Sequence, residues 1–292
     1  MPTAHVNGID IEYVTEGDPA NEPMLLVMGL GAQLTAWPEG FVELLRRRFF
    51  LIRYDNRDCG LSTKFEGLPS LATFLGALFG GEAPPPPYRI EDMADDAAAL
   101  LGELGVERAH VLGVSMGGMI TQALAINHAG LLRSAASIMS TTGDWSAGVP
   151  TNEAITALLR PSATSREEAI AMSVEGSKLI GSPGYPSDES LLRERAAVAY
   201  DRCYCPEGTA RQVAAILASP DRTEGLRGVR IPFLVLHGED DPLVPVGGGR
   251  ATAAAVPGSE LVVIPGMGHD LPQQLWGRIS DAIVANAERA AT

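Results

Sequence analysis

A chain of 292 residues with 46% hydrophobic content can bury one sizeable core, or a core with an inserted subdomain. Its 22 Lys and Arg against 36 Asp and Glu give a net charge of −14. No basic block exceeds Arg46–Arg48, read as the solvated end of a helix, so a nucleic-acid partner is disfavoured. In chain order, Asn7-Gly8 between two short alternating runs predicts a hairpin. "MLLVMGL" is an apolar run ending at glycine, which predicts a buried strand, followed by a helix over "FVELLRRR" and a strand in "FFLIRYDNRD". The stretch "LATFLGALFGG" and Pro84–Pro87 predict a surface excursion. Its Leu71, Phe74, Leu75, Leu78 and Phe79 either line a substrate entrance or simply pack on the core or on another subunit.

"YRIEDMADDAAALLGELGVERA" predicts a long amphipathic helix ending near Gly105, then a strand in "HVLGVS", a helix in "MGGMITQALAINHA" and a strand in "LLRSAASIMST". Strand–helix alternation of this kind implies βαβ units and a mostly parallel α/β sheet covered on both faces. From about Thr142 to Pro206 no strand is predicted, and three helical patterns mark an insertion. Two further strand-then-loop units, "IPFLVLHGEDDPLVP" and "SELVVIPGMGHDLP", precede a last helix.

Three cysteines, Cys59, Cys203 and Cys205, are too few and too irregular for a disulfide scaffold and fit a reducing compartment. Cys203 and Cys205 are expected to be packing residues on a helix. The N-terminus lacks a signal-peptide pattern and no run of about 18 apolar residues predicts a membrane span, so a cytoplasmic protein is expected. The sequence does not say whether the chain forms a homodimer.

Gly113-Val114-Ser115-Met116-Gly117 fits G-x-S-x-G between a predicted strand and a predicted helix. A serine on so sharp a turn needs small neighbours two residues away on either side, which assigns Gly113 and Gly117 a steric role. The glycines are not followed by Lys and Ser/Thr, so this is no phosphate loop, and "GLGAQL" lacks the third glycine of a dinucleotide site. A serine nucleophile needs a base. Of the five histidines, His5, His110, His128 and His237 lie in or beside predicted strands and helices, where structural roles fit. His269, on a loop after the last predicted strand, is the candidate base, because open parallel sheets gather catalytic groups at strand C-termini. Asp241, before Pro-Leu-Val-Pro, is the candidate acid, and Asp240 is its exposed neighbour. Backbone N–H groups of Met116 and of Leu30, the latter on the turn permitted by Gly29, are the candidate oxyanion donors.

These segments, with the turn "RYDNRDCGLS", resemble the α/β-hydrolase family over essentially the whole chain and in the same order. Within it the chain resembles serine carboxylesterases of bacteria and the polyketide methylesterase type that acts on aclacinomycins. The resemblance implies an eight-stranded, mostly parallel sheet with helices on both faces, a core of residues 1–141 and 207–292, and a helical cap at 142–206. It also implies that Asp55 and Arg57 tie loops beneath the site. Met28 stands where many members carry histidine, which makes the pocket more apolar. The expected activity is hydrolysis of small to medium apolar carboxylic esters through an acyl-enzyme, with no cofactor and no metal. Activity is expected to fall as pH drops through about 6–7, where imidazole protonates. Perhydrolase or haloperoxidase chemistry, C–C bond hydrolysis, lactone hydrolysis and acyl transfer share the same residues. A non-catalytic ligand receptor on this scaffold is a further alternative, disfavoured because it is expected to lack a triad member.

Overall fold

The computed structural model describes residues 1–67, 86–158 and 160–291. The apolar excursion from Leu71 to Gly81, with Pro84 and Pro85, lies outside these residues. Asn7 and Gly8 take φ of 52° and 75°, so a two-residue left-handed turn pairs β1 (Thr3–Val6) antiparallel with β2 (Ile9–Glu16). There follow β3 (Pro23–Val27), α1 (Glu39–Arg46) and β4 (Phe50–Tyr54). Next come α2 (Ile90–Glu103), β5 (Ala109–Val114), α3 (Met116–Asn127) and β6 (Leu132–Ile138).

Among the described residues between β6 and the next strand there are helices and no strand: α4 (Asn152–Leu158), α5 (Arg166–Ile180), α6 (Glu189–Arg202), α7 (Pro206–Ala218) and α8 (Thr223–Leu226). The chain closes with β7 (Phe233–Gly238), α9 (Val246–Ala255), β8 (Glu260–Ile264) and α10 (Trp276–Glu288). Cys203 and Cys205 are not on a helix, contrary to expectation. Helix α6 ends at Arg202, and Cys205 precedes Pro206, whose ring disfavours helical backbone in the residue before it.

The eight strands form one sheet in the order β1-β2-β4-β3-β5-β6-β7-β8. β2 pairs antiparallel with β1 and β4; every other pairing is parallel. All six residues of β5 and of β7 are buried, as central parallel strands covered on both faces require. Alternating side chains feed two cores. Leu25, Val27 and Val111 pack with α2 and α3, while Leu26, Leu112 and Val114 pack with α1 and α10. Because β3, β5, β7 and β8 run the same way, the loops that follow them share one edge of the sheet.

The turn after β4 is the polar hub beneath that edge. Asp55, fully buried, accepts the N–H groups of Leu34 at 2.7 Å and Leu61 at 2.8 Å, and pairs with Arg202 of α6 at 2.7 Å. Arg57 donates twice to Asp96 of α2, at 2.6 and 2.7 Å, and lies over the Phe65 and Tyr88 rings. Asp58 accepts two bonds from Arg211 of α7, at 2.9 and 2.8 Å, and one from the Tyr88 hydroxyl at 2.6 Å. Breaking one side of a buried pair strands the other charge without solvent. Asp58→Ala is therefore expected to lower unfolding stability by about 3–5 kcal/mol, read as the shift of the urea midpoint at constant slope.

Candidate active site

Ser115 occupies the one-residue junction between β5 and α3, at φ 55° and ψ −121°. A positive φ is costly for a residue with a Cβ and persists only where the surroundings impose it. Here they do. The Ser115 N–H donates to Ile138 O at 2.9 Å, and the Ser115 carbonyl accepts from Gly118 N at 2.8 Å. A Cβ on Gly113 would lie 2.0 Å from Gly117 O, and one on Gly117 would lie 2.1 Å from Val27 O. Neither position admits a side chain.

His269, on the loop after β8, reaches Ser115 Oγ through Nε2 at 2.9 Å. Its Nδ1 lies 2.6 Å from Asp241 Oδ2. Nδ1–H donating to the carboxylate leaves Nε2 as the acceptor for the serine hydroxyl, which is the tautomer a base needs. Asp241 follows β7 in a turn where its Oδ1 accepts the N–H groups of Leu243 at 2.9 Å and Val244 at 2.8 Å. Pro242 between them donates no N–H, which keeps the acceptor free for the next two residues. Asp240 does not join this chain of bonds; it is exposed and accepts the Gly266 N–H at 2.8 Å.

The loop after β3 closes over the serine. A Cβ built on Gly29 would meet Ser115 Cβ at 3.1 Å, so Gly29 permits a close approach rather than a special φ. Gly29, which precedes Leu30, and Met116 thus flank the serine from the β3 loop and from the first turn of α3. Two residues that pin this loop carry no recognisable sequence signal. Asn56 Nδ2 donates to Met28 O at 3.0 Å. Gln212, on α7, accepts the Gly31 N–H at 2.8 Å and donates to Arg57 O at 2.8 Å.

The other histidines are engaged elsewhere. His110 is buried between Ser134 Oγ at 2.8 Å and Glu22 at 3.1 Å, and His128 meets Asp95. His5 meets Asp10 at the surface. His237 is fully buried and its Nε2–H donates to Val244 O at 2.8 Å, bracing the turn that carries Asp241. Burial holds the His237 and His110 imidazoles below their usual range, with the Val244 bond and Glu22 working the other way. Among the described residues no group of three or more His, Cys, Asp or Glu is arranged to hold a metal, and no helix is long and apolar enough to cross a membrane.

A cavity of about 540 Å³ borders the β3 loop. It is lined by Gly31 and Gln33, by Cys59 and Gly60 of the hub turn, and by α5, α6 and α7, including Met172, Tyr200 and Val213. No triad candidate lines it.

A family model described as alpha/beta hydrolase fold matches residues 22–272. The rhodomycin D methylesterase DauP of Streptomyces sp. (strain C5) is 30% identical over 100% of both chains. Among solved structures, a thermophilic esterase from Thermogutta terrifontis is 25% identical with a TM-score of 0.74, covering 100% of this chain and 99% of its own. An esterase from Rhodococcus sp. ECU1013 is 25% identical with a TM-score of 0.73, covering 98% and 97%.

The depressed His237 imidazole makes a stability prediction. An imidazole harder to protonate when folded leaves the unfolded chain binding more protons, so its contribution is present above its unfolded value near 6.5 and is lost as pH falls toward the folded value. The urea midpoint is expected to fall between pH 7 and pH 5, and to fall less steeply in His237→Gln, which cannot be protonated.

Proposed function

The chain belongs to the alpha/beta hydrolase fold family, and we propose that it is a carboxylic ester hydrolase acting through an acyl-enzyme on Ser115. The observation that carries the reading is the hydrogen-bonded series Asp241–His269–Ser115, with links of 2.6 and 2.9 Å, ending on a serine of strained backbone. The methylesterase and esterase names of the relatives agree with ester cleavage.

In this reading His269 Nε2 takes the hydroxyl proton as Ser115 Oγ bonds to the ester carbonyl carbon. The carbonyl oxygen becomes an oxyanion held by the backbone N–H groups of Leu30 and Met116. Asp241 stabilises the imidazolium and fixes its tautomer. The imidazolium then gives its proton to the departing alcohol oxygen as the C–O bond breaks, leaving the acyl group on Ser115. Water, deprotonated by His269, attacks the acyl carbon; the carboxylic acid leaves and Ser115 recovers its proton. Every step uses groups of this chain, the substrate and one water molecule, so the chemistry calls for no cofactor.

Residues 142–206 act as the cap in this proposal, since helices α4 to α6 stand over the core with the cavity between. The cavity borders the β3 loop that flanks Ser115 but is lined by no triad candidate, so it supports the cap reading and sets no size for the acyl group. Met28, expected to make the pocket more apolar, is packed in the core with Trp37 and Phe41 and does not line this cavity.

The test is a series of p-nitrophenyl esters. Ser115→Ala is expected to lower kcat by at least about 10³-fold, as removal of a nucleophile does. Turnover at the unmutated rate in Ser115→Ala contradicts the assignment.

A further inference from the structure

The three triad candidates are braced differently. Ser115 is held by the ends of β5 and β6, and Asp241 by its own turn. His269 hangs on a loop without helix or strand, between β8 and the turn that leads into α10. Two segments fasten that loop: the Asp240 turn after β7, which accepts the Gly266 N–H and donates its own N–H to Met267 O at 3.0 Å, and, at His269 itself, the connector between α5 and α6.

The contacts are dense and they are specific. The His269 N–H itself donates to Ile180 O at 2.7 Å, and Gly184 N–H donates to Gly266 O at 2.9 Å. The Gly268 N–H donates to Ser182 Oγ at 2.9 Å, while the Ser182 hydroxyl donates to Asp270 Oδ1. Ser182 is 4% exposed, so this hydroxyl has no water to fall back on. The two backbones touch. A Cβ on Gly268 would lie 2.4 Å from Gly181 O, and one on Gly184 would lie 2.8 Å from Gly266 Cα. The glycines in "IGSPG" and "PGMGH" are therefore matched across the contact, one pair of small residues for each approach.

We propose that the connector from Ile180 to Gly184 is the positioning element for His269, with Ser182 and Asp270 as its paired side chains. The inference rests on the acyl-transfer reading above. It also joins the cavity to the chemistry. Helix α5 lines the cavity through Ala169, Met172 and Ser173, and the same helix ends in the Ile180 carbonyl that holds the His269 amide. Contact between a ligand and α5 is thus carried by one rigid element to the imidazole, which is a route for remote binding energy to act on kcat rather than on KM. Neither Ser182 nor Asp270 touches the reacting atoms; each acts through the histidine.

Steady-state kinetics on a p-nitrophenyl ester tests this. Ser182→Ala and Asp270→Ala are each expected to lower kcat by about 10- to 100-fold, with KM changing by less than about threefold, since small misplacements of a catalytic group cost that much. Asp270→Asn keeps an acceptor for the Ser182 hydroxyl and is expected to recover kcat to within about threefold of the unmutated enzyme. Unchanged kcat in both alanine variants, a loss confined to KM, or Asp270→Asn as impaired as Asp270→Ala overturns the proposal. Failure of the acyl-transfer reading is distinguishable, because it appears as full turnover in Ser115→Ala. A measurement on the unmutated protein covers the case in which the variants do not fold. Amide hydrogen exchange of Gly268 and His269 is expected to keep pace with that of Ser182 and Gly184, because the segments open together. Exchange of the histidine loop more than about tenfold faster than the connector overturns the proposal as well.

Discussion

Ser115 stands at φ 55° in a junction one residue long, and that constraint reaches into three strands at once. Its N–H is taken by the end of β6, and the glycine two residues on lies against the last carbonyl of β3. The strain is affordable only because β3, β5 and β6 are adjacent and parallel, so their ends converge without a crossing loop. A central sheet buried on both faces supplies the stiffness. The helix that follows then starts at the serine, which directs its unpaired first N–H groups toward the same space.

Beneath this edge, the turn from Asp55 to Asp58 fastens what the sheet does not reach. Of four consecutive polar side chains, Asp55 reaches the β3 loop and α6, Asn56 reaches the same loop at Met28, Arg57 reaches α2, and Asp58 reaches α7. Buried charges are costly unless paired and fully hydrogen-bonded, and here the carboxylates of Asp55 and Asp58 each meet an arginine from the helices that follow β6. The helices after β6 are therefore tied to this turn twice, through Arg202 of α6 and Arg211 of α7, and α5 is joined to the histidine loop. The β3 loop that flanks Ser115 is trapped between Asn56 and Gln212.

The sheet, and the three triad candidates that the structure brings within hydrogen-bond reach, each leave a local mark in the sequence. The serine needs its two glycines, the aspartate precedes a proline, and the histidine sits between a glycine and a proline on the loop after a β-branched run. The hairpin at Asn7-Gly8 is legible for the same reason. What is not legible is what depends on distant partners. Asp58 and Arg211 are 153 positions apart, and Gly31 and Gln212 are 181 apart. No spacing rule connects them, because the folded sheet alone decides that they meet. The glycine-rich break between α5 and α6 is visible as a helix terminator, yet its counterpart across the histidine loop is a packing fact. Cys203 and Cys205 went astray for a readable reason, since the proline that follows Cys205 ends the helical pattern sooner than the apolar spacing suggests.

Covalent labelling tests the central claim most directly. A fluorophosphonate reacts with a serine only where a base and an oxyanion site activate it. Intact-mass analysis followed by peptide mapping is expected to find a single phosphonyl group, on Ser115, with none on the Ser115→Ala protein. An unlabelled protein, or an adduct on any other residue, contradicts the account.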